Sequence, residues 1–232
     1  MHDQQTEGAR LLCRVGRLVY QKGYVAANDG NLSLRLPGGG VLITPSCVGK
    51  GRMRPEQMVR LAPDGAVHAL PGFVPSSEAQ MHTALYAASP DIGAVVHVHA
   101  PHAVCFGARG PGARWPALCA DIIVQAGYVP VAPYVALGTW QLADTVASYA
   151  ASSCAVLLQN HGLVAWGRDL WQAFDRAEAV EHYFRILALY EQTGCQGALL
   201  TPADVAALEE TRRALGESRG AGPWVTAPEV RP

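Results

Sequence analysis

The sequence predicts a single α/β domain with a substantial core. The chain has 232 residues, half of them hydrophobic, which is enough for one such domain and does not require a second. Segments with helical spacing of apolar residues alternate with short apolar runs typical of strands. No internal repeat, low-complexity run or inter-domain linker interrupts this pattern. We therefore predict one domain over residues 1–215, followed by a tail, residues 216–232, that we expect to be poorly ordered.

The composition argues against several classes of protein. The formal net charge is −1, and no basic run suggests a nucleic-acid surface. No apolar segment approaches the roughly 18 residues of a membrane span. The polar start lacks the basic-then-apolar pattern of an export signal, and six scattered cysteines fit reduced thiols. We expect a cytoplasmic protein that binds neither nucleic acid nor membranes.

The first part of the chain predicts a helix, a turn and two strands. Apolar residues at helical spacing cover residues 6–22 and end at a glycine. The Asn-Asp-Gly-Asn turn at 28–31 opens a strand and is typical of a simple hairpin, although its N–H groups and the Asn31 amide suit an anion such as phosphate. A strand at 41–44 then enters a loop rich in hydroxyls and glycine. The hydroxyls and free N–H groups of that loop also suit an anion. Its two cations, Lys50 and Arg52, fit either an anion site or a solvated surface.

The Pro-Ser-Ser-Glu segment from Pro75 predicts the start of a helix. Ser77 with Gln80 forms the pattern of a capping box, and the apolar residues that follow have helical spacing. Glu78 would then lie in the first turn, where the positive end of the helix holds a carboxylate charged and free N–H groups bind anions. An ordinary acidic first-turn residue fits the same pattern.

An apolar run at 92–99 ends in His97 and His99. Because strand side chains alternate between faces, both imidazoles point the same way, with their Cα atoms about 7 Å apart. Two imidazoles suit zinc and related metals, but a catalytic site needs further ligands. His161, in a turn between two apolar strands, is a candidate third ligand. Solvated histidines at a strand end and in a turn would give the same sequence.

The remaining segments complete the predicted domain. The prolines between residues 101 and 139 suit sheet edges and crossovers. Polar residues on the long helix, Glu178, Glu181 and His182, predict a solvated or interface face. Helical patterns cover residues 140–151, 169–193 and 202–215.

Lysine is scarce in this chain. Sixteen arginines accompany only two lysines, Lys22 and Lys50. Lys22 lies at a helix end and Lys50 lies between glycines in a loop. A Schiff-base mechanism needs a desolvated lysine amine, so these positions argue against covalent lysine chemistry.

Six short motifs occur in a fixed order along the chain. They are G-N-x-S from Gly30, T-P-S from Thr44, P-S-S-E from Pro75, V-V-H-x-H from Val95, A-P-Y from Ala132 and L-L-Q-x-H-G from Leu157. Together they resemble the class II aldolase/adducin-head family over about residues 8–192, with the L-fuculose-1-phosphate aldolases as the best match. The resemblance implies a three-layer α/β/α domain with a mixed, mainly antiparallel central sheet. It also implies a homotetramer with active sites at subunit interfaces.

The resemblance assigns roles to residues of this chain. It implies that His97, His99 and His161 bind zinc, although Mn²⁺ or Co²⁺ suits the same donors. Glu78 would be the fourth ligand and the catalytic acid/base. The substrate phosphate would be held by Gly30, Asn31, Ser46, Ser76 and Ser77.

Two positions depart from the aldolase pattern. Cys47 stands where fuculose phosphate aldolase has a glycine in the phosphate loop, which would alter the approach of the phosphate. The aldolase tyrosine supplied by a neighbouring subunit has no match. Asp121 is a candidate second acid/base, because a related epimerase supplies an aspartate from a similar segment.

The resemblance implies a zinc-dependent aldolase that cleaves a short ketose 1-phosphate to dihydroxyacetone phosphate and an aldehyde. Alternatives on the same fold are a sugar-phosphate 4-epimerase and a 3-oxo-tetronate 4-phosphate decarboxylase. A non-catalytic interaction module like the adducin head is an alternative of another class, and the three histidines argue against it. The expected partners are a small phosphorylated sugar and further copies of this chain.

Overall fold

The computed structural model of the chain describes residues 2–195 and 197–228. Within them, eight strands form one sheet. The strands are β1 (Asn31–Arg35), β2 (Val41–Ile43), β3 (Val59–Leu61), β4 (Val67–His68), β5 (Ala94–Val98), β6 (Val131–Ala132), β7 (Ala155–Leu158) and β8 (Gly162–Gly167). The helices are α1 (His2–Gln21), α2 (Ala79–Ala88), α3 (Pro101–Gly107), α4 (Ala120–Gln125), α5 (Trp140–Ala147), α6 (Leu170–Thr193) and α7 (Pro202–Ala214).

The sheet runs in the order β4-β3-β2-β1-β5-β8-β7-β6. Every neighbouring pair is antiparallel except β6 and β7, which are parallel. This confirms the mixed, mainly antiparallel sheet. The strand β6 lies at one edge between two prolines, as the proline pattern predicts, because a residue without an N–H suits an edge. In the described residues, no helix is both long enough and apolar enough to span a membrane.

Apolar side chains are buried on both faces of the sheet. Alternation along β5 sends Val95 to the face covered by α2 and α5 and sends Val96 and Val98 to the face covered by α1, α3, α4 and α6. The strands in the middle are therefore apolar on both sides, as expected for a sheet between two helical layers. The three-layer α/β/α architecture is confirmed.

The start of α2 differs from the predicted capping box. The helix begins at Ala79, so Glu78 is its N-cap residue, and no side chain caps it. Ser77 is exposed, whereas Ser76 Oγ accepts a hydrogen bond from the Glu78 N–H at 3.3 Å. The capping prediction was wrong because contacts with distant strands, described below, fix the position of the Glu78 side chain.

Glu181 departs from the solvated or interface face predicted for α6, because it contacts another helix of the same chain. This carboxylate is 5% exposed and accepts hydrogen bonds from the backbone N–H groups of His102 and Ala103 at 3.1 and 2.9 Å. Those N–H groups are unpaired within α3 because they belong to its first turn. Glu181 therefore holds the N-terminus of α3 in place from another helix, which sequence spacing does not reveal.

The tail is packed against the domain as far as residue 227, whose N–H donates to the Leu200 carbonyl, whereas the sequence predicts poor order. Trp224 is buried, and Val225 exchanges backbone hydrogen bonds with residues 115 and 117. Glu217 pairs with Arg176 at 2.7 Å and with Arg219 at 2.7 Å. The glycine and proline residues of the tail predict a loose segment. The prediction fails because the partners of the tail lie far away in the sequence, where local composition gives no information about them. Residues 229–232 lie outside the described residues.

We expect Glu217→Gln to lower the free energy of unfolding by about 2 kcal/mol, because it leaves the Arg176 guanidinium, which is 3% exposed, without its counter-charge. Glu210→Gln is the matched control, since Glu210 pairs with Arg213 in an exposed position, and it should change stability by less than about 0.5 kcal/mol. Denaturant unfolding measures both values. Equal stabilities for the two variants would contradict the proposed anchoring of the tail.

Candidate metal centre

Three histidines converge at the end of β5. Their ring centroids lie 4.8–5.0 Å apart, and one nitrogen of each lies within 4.8 Å of the others. His97 lies in β5 and His99 directly follows it. His161 lies in the turn between β7 and β8, and the pairing of β5 with β8 brings this turn to the same edge. The structure therefore brings together the three residues that the sequence singles out.

The Glu78 carboxylate closes this cluster. Its Oε2 lies 3.2 Å from His97 Nε2, and its Oε1 lies 3.3 Å from His161 Nε2. His97 Nε2 lies 3.2 Å from His99 Nε2. Donor atoms bound at about 2.1 Å to one tetrahedral zinc lie about 3.4 Å apart. Glu78 Oε1 is also buried without a hydrogen-bond partner among the described residues. The donor set and its spacing fit a divalent cation.

The outer nitrogens of two imidazoles have partners that orient the rings. His97 Nδ1 donates to the Leu163 carbonyl at 3.0 Å, which leaves Nε2 free to bind a cation. His99 Nδ1 lies 3.6 Å from Asp29 Oδ2. Asp29 is absent from the residues singled out by the sequence. Its only signal is its place in the turn before β1, which lies far from His99 along the chain.

The electrostatics favour the ligand forms of Glu78, His99 and His161. Burial opposes ionisation of Glu78, but the charge and hydrogen bond of His97 and the hydrogen bond from Asn31 hold its pKa well below the usual range. Burial and the field of His97 lower the pKa of His99 to about 4 and that of His161 to about 3. For His97, the Glu78 carboxylate outweighs burial and raises the pKa. The charge of Glu78 is therefore offset by a proton on His97, and a cation held by the four side chains would take the place of that proton.

Gly162 allows the rings to approach the strand ends closely. A Cβ atom at this position would lie 2.7 Å from the Val98 carbonyl oxygen and 2.9 and 3.0 Å from ring atoms of His99 and His97. These distances are shorter than van der Waals contact. The glycine that follows His161 is therefore a packing requirement of the centre.

A buried chain of hydrogen bonds leads from Glu78 into the core. Asn31 Nδ2 donates to Glu78 Oε2 at 2.9 Å, so Asn31 Oδ1 accepts from His82 Nε2 at 2.5 Å. His82 Nδ1 then accepts from Ser33 Oγ at 2.6 Å, and Ser33 Oγ accepts from the Tyr86 hydroxyl at 2.7 Å. The direction of each hydrogen bond determines the direction of the next one. Because His82 donates through Nε2 and accepts through Nδ1, its imidazole is neutral. The chain holds the Asn31 amide with its N–H group toward the carboxylate.

The residues expected to bind phosphate divide into two groups. Both polar ends of the Asn31 side chain are engaged by Glu78 and His82. Gly30 has a φ of +70°, and a Cβ there would lie 2.7 Å from the His97 carbonyl oxygen, so it serves the close packing of its turn on β5. The other residues expected to bind phosphate, Ser46, Cys47, Ser76 and Ser77, lie on two loops.

These loops lie side by side at the rim of the centre. An isolated antiparallel bridge joins Pro45 to Pro75, which brings the Ser46 loop beside Ser76. Ser77 and Cys47 are exposed. Cys47 has a φ of +58°, a left-handed conformation that glycine adopts without strain. Cys47 thus occupies a glycine-like backbone position and places a thiol 3.6 Å from the Ser46 hydroxyl.

Asp121 does not join the centre within this chain. It lies at the start of α4 and lines a cavity of about 410 Å³ with Asp175, Glu178 and His182 of α6. The helix α4 covers one face of the sheet, whereas α2, which follows Glu78, covers the other. A catalytic role for Asp121 therefore requires a second copy of the chain.

The chain belongs to the family of class II aldolase and adducin N-terminal domains, whose model matches residues 10–188. It is 32% identical to a 3-oxo-tetronate 4-phosphate decarboxylase of Haemophilus influenzae over 202 residues, 86% of this chain and 94% of that protein. It is 36% identical to a 5-deoxy-D-ribulose 1-phosphate aldolase of Bacillus thuringiensis over 182 residues, 77% and 81% of the two chains.

A solved structure of an L-fuculose 1-phosphate aldolase has the same fold. It superposes with a TM-score of 0.77 at 26% sequence identity and covers 91% of this chain and 97% of its own. The family assignment and the fold class expected from the six motifs are both confirmed.

We expect Gly162→Ala to weaken metal binding by at least about tenfold, because the added Cβ atom displaces the His97 and His99 rings from their common centre. Gly107→Ala is the control, since a Cβ atom there meets its neighbours at an ordinary 3.4 Å. Competition with a chromophoric chelator measures the affinities. Unchanged affinity in Gly162→Ala would show that the centre does not need this close approach.

We expect His82 to make stability depend on pH between 7 and 5. Burial, reinforced by the charge of His97, lowers its pKa from the ordinary 6.5 to about 3. The unfolded chain therefore takes up a proton that the folded chain does not, so the contribution is complete above pH 6.5 and is lost as the pH falls toward 3. Between pH 7 and 5, the wild type should lose about 2 kcal/mol more than His82→Gln in denaturant unfolding. Parallel profiles would contradict a neutral His82.

Proposed function

We propose that the chain is a divalent-metal lyase that breaks the carbon–carbon bond between the α- and β-carbons of a ketone in a phosphorylated sugar or sugar acid. The observation that carries this proposal is the Glu78 carboxylate between His97 and His161 at 3.2 and 3.3 Å. Zinc suits three imidazoles and one carboxylate, and Mn²⁺ or Co²⁺ can occupy the same donors. Four protein donors in this spacing also argue against a non-catalytic interaction module.

The expected substrates of the two lyase reactions share one chemical unit. A ketose 1-phosphate and a 3-oxo acid 4-phosphate both carry a phosphorylated CH₂ group next to a ketone, followed by a carbon with a hydroxyl. Breaking the next carbon–carbon bond leaves dihydroxyacetone phosphate in both cases. The second product is an aldehyde from the ketose and CO₂ from the acid. The same centre therefore suits both reactions, and only the leaving part differs.

Both reactions need charge stabilisation and a proton transfer. A divalent cation held by His97, His99, His161 and Glu78 would supply positive charge for the electron pair that moves onto the ketone oxygen. Glu78 is held ionised and is oriented by Asn31, so it can accept a proton from a hydroxyl in aldol cleavage. In aldol cleavage it can return that proton to the carbon left behind. In decarboxylation no hydroxyl supplies a proton, so Glu78 must first take one up from water before it can protonate the carbon that carried the CO₂.

The first candidate substrate is the 3-oxo acid 4-phosphate. It is supported by the decarboxylase of Haemophilus influenzae, whose similarity extends over 86% of this chain and 94% of that protein. The second candidate is a short ketose 1-phosphate, supported by the similarity to the 5-deoxy-D-ribulose 1-phosphate aldolase at 36% identity. Decarboxylation thus takes the place of the aldol cleavage that the six motifs lead us to expect.

A homotetramer remains part of this proposal. Asp121 lies on the side of the sheet opposite α2, so it can act as a second acid/base only when it reaches the centre of a neighbouring copy. In that assembly each active site would contain Glu78 from one chain and Asp121 from the next. Light scattering of the purified chain measures its mass in solution, and a monomer would remove Asp121 from the mechanism.

The second product distinguishes the two candidate reactions. The metal-loaded chain is incubated separately with 3-oxo-tetronate 4-phosphate and with 5-deoxy-D-ribulose 1-phosphate. We expect CO₂ release from the first, with kcat/KM at least about tenfold above that for aldehyde release from the second. The reverse ranking would support the aldolase. Isomerisation of a pentulose phosphate without bond cleavage would overturn the lyase proposal in favour of an epimerase.

Substitutions at the centre separate metal binding from proton transfer. We expect Glu78→Gln to keep much of the metal but to slow turnover by about a thousandfold, because the amide cannot transfer the proton. His97→Ala should lose metal and activity together. Metal analysis and steady-state kinetics on the same preparations measure both properties, and normal turnover by Glu78→Gln would refute the acid/base role.

A further inference from the structure

Lys50 is an ammonium group buried without an ionic partner. Its side chain is 1% exposed, and Nζ donates to the backbone carbonyls of Asn28 and Val48 at 3.0 and 2.8 Å. Neither acceptor carries a charge. Among the described residues, no carboxylate lies within ion-pair distance of Nζ. Asp29 is the carboxylate whose field acts on it, and that side chain is directed to His99 at 3.6 Å.

An unpaired buried charge is costly. Removing an ammonium from water costs several kcal/mol, and backbone carbonyls recover only part of this. The penalty lowers the pKa of Lys50 to about 8. At neutral pH the group is still mainly charged, so an anion brought near it would gain from an interaction that little water screens. The two carbonyls and the burial also keep this amine from reaching a substrate carbonyl, which agrees with a mechanism without a Schiff base.

Lys50 lies beneath two loops that meet at the rim of the metal centre. One is the turn at residues 27–30 that leads into β1, and the other is the loop at 46–49 after β2. A Cβ atom on Gly49 would lie 2.8 Å from the Ala27 carbonyl oxygen, so the loops are in contact. Each loop has a non-glycine residue in the left-handed region, Ala27 at φ 45° and Cys47 at φ 58°. Such residues cost about 1–3 kcal/mol each and persist only where their surroundings hold them.

We propose that Lys50 is the buried counter-charge of an anion site formed by these two loops, and that the anion is the phosphate group of the substrate. This inference rests on the proposed function, which supplies a phosphorylated substrate. Lys50 is a positioning residue that acts through the loops and through its field. The Ser46 hydroxyl and the outer surfaces of the loops would contact the phosphate directly.

The test uses inorganic phosphate as the probe and the metal-loaded chain. Calorimetric titration compares the wild type with Lys50→Gln and Lys22→Gln. Gln keeps an N–H donor for the loop carbonyls but removes the charge, and Lys22 is the matched control because it is the other lysine of the chain and pairs with Glu178 at the surface. We expect equal Kd values for the wild type and Lys22→Gln and a Kd raised at least about tenfold in Lys50→Gln, with metal content unchanged.

Kinetics and NMR provide measurements that a merely structural role would not change. Lys50→Gln should raise KM for the phosphorylated substrate at least about tenfold while kcat stays within about threefold. In the ¹⁵N-labelled wild type, added phosphate should shift the Lys50 ammonium signal and leave the Lys22 signal unchanged. This measurement needs no variant to fold.

Two failures have different meanings. If the wild type binds phosphate and Lys50→Gln binds it equally well, or if the Lys50 signal does not move, the role of Lys50 is wrong and the proposed lyase stands. If the wild type does not bind phosphate at all, the anion site is wrong, and the phosphorylated substrate of the proposed function is wrong with it.

Discussion

The pairing of β5 with β1 on one side and β8 on the other is the constraint on which the site depends. The register of β1 places Asn31 opposite His97, and the register of β8 places Leu163 opposite Val98, one residue before His99. A shift of one residue in either pair would turn the histidine side chains to the other face. The apolar residues that alternate along β5 fix this register, because they must enter the two helical layers. Packing of the core therefore positions the metal ligands.

The polar groups near this pairing are buried, and each needs a partner. A continuous series of hydrogen bonds runs from Tyr86 through Ser33, His82 and Asn31 to Glu78, and it gives each of these buried groups a partner. Such a network is rigid because a change at one member leaves another buried group unpaired. This rigidity keeps the Glu78 carboxylate oriented while its second oxygen stays open to the centre. The polar core thus contributes to the proposed chemistry as well as to stability.

The proposed function divides the substrate into a shared part and a part that differs between the two reactions. In the proposed function, the metal centre and the loops above Lys50 would hold the portion of a substrate that is common to ketose 1-phosphates and 3-oxo acid 4-phosphates. The group that leaves as aldehyde or CO₂ lies beyond that portion, where other residues would contact it. This division explains how a chain can resemble both a decarboxylase and an aldolase, since the two reactions differ in the leaving group and share the charge that must be stabilised.

The sequence alone identified the residues of the candidate metal centre. Alternating strand geometry paired His97 with His99, and the six ordered motifs added His161, Glu78 and the three-layer fold, because such signals are local or follow a fixed order. Tertiary structure decided the rest. It buried Glu181, packed the tail through Trp224, moved Asp121 away from the centre and placed Lys50 beneath two loops. These outcomes depend on contacts between residues far apart in the chain, which no local pattern of spacing or propensity encodes.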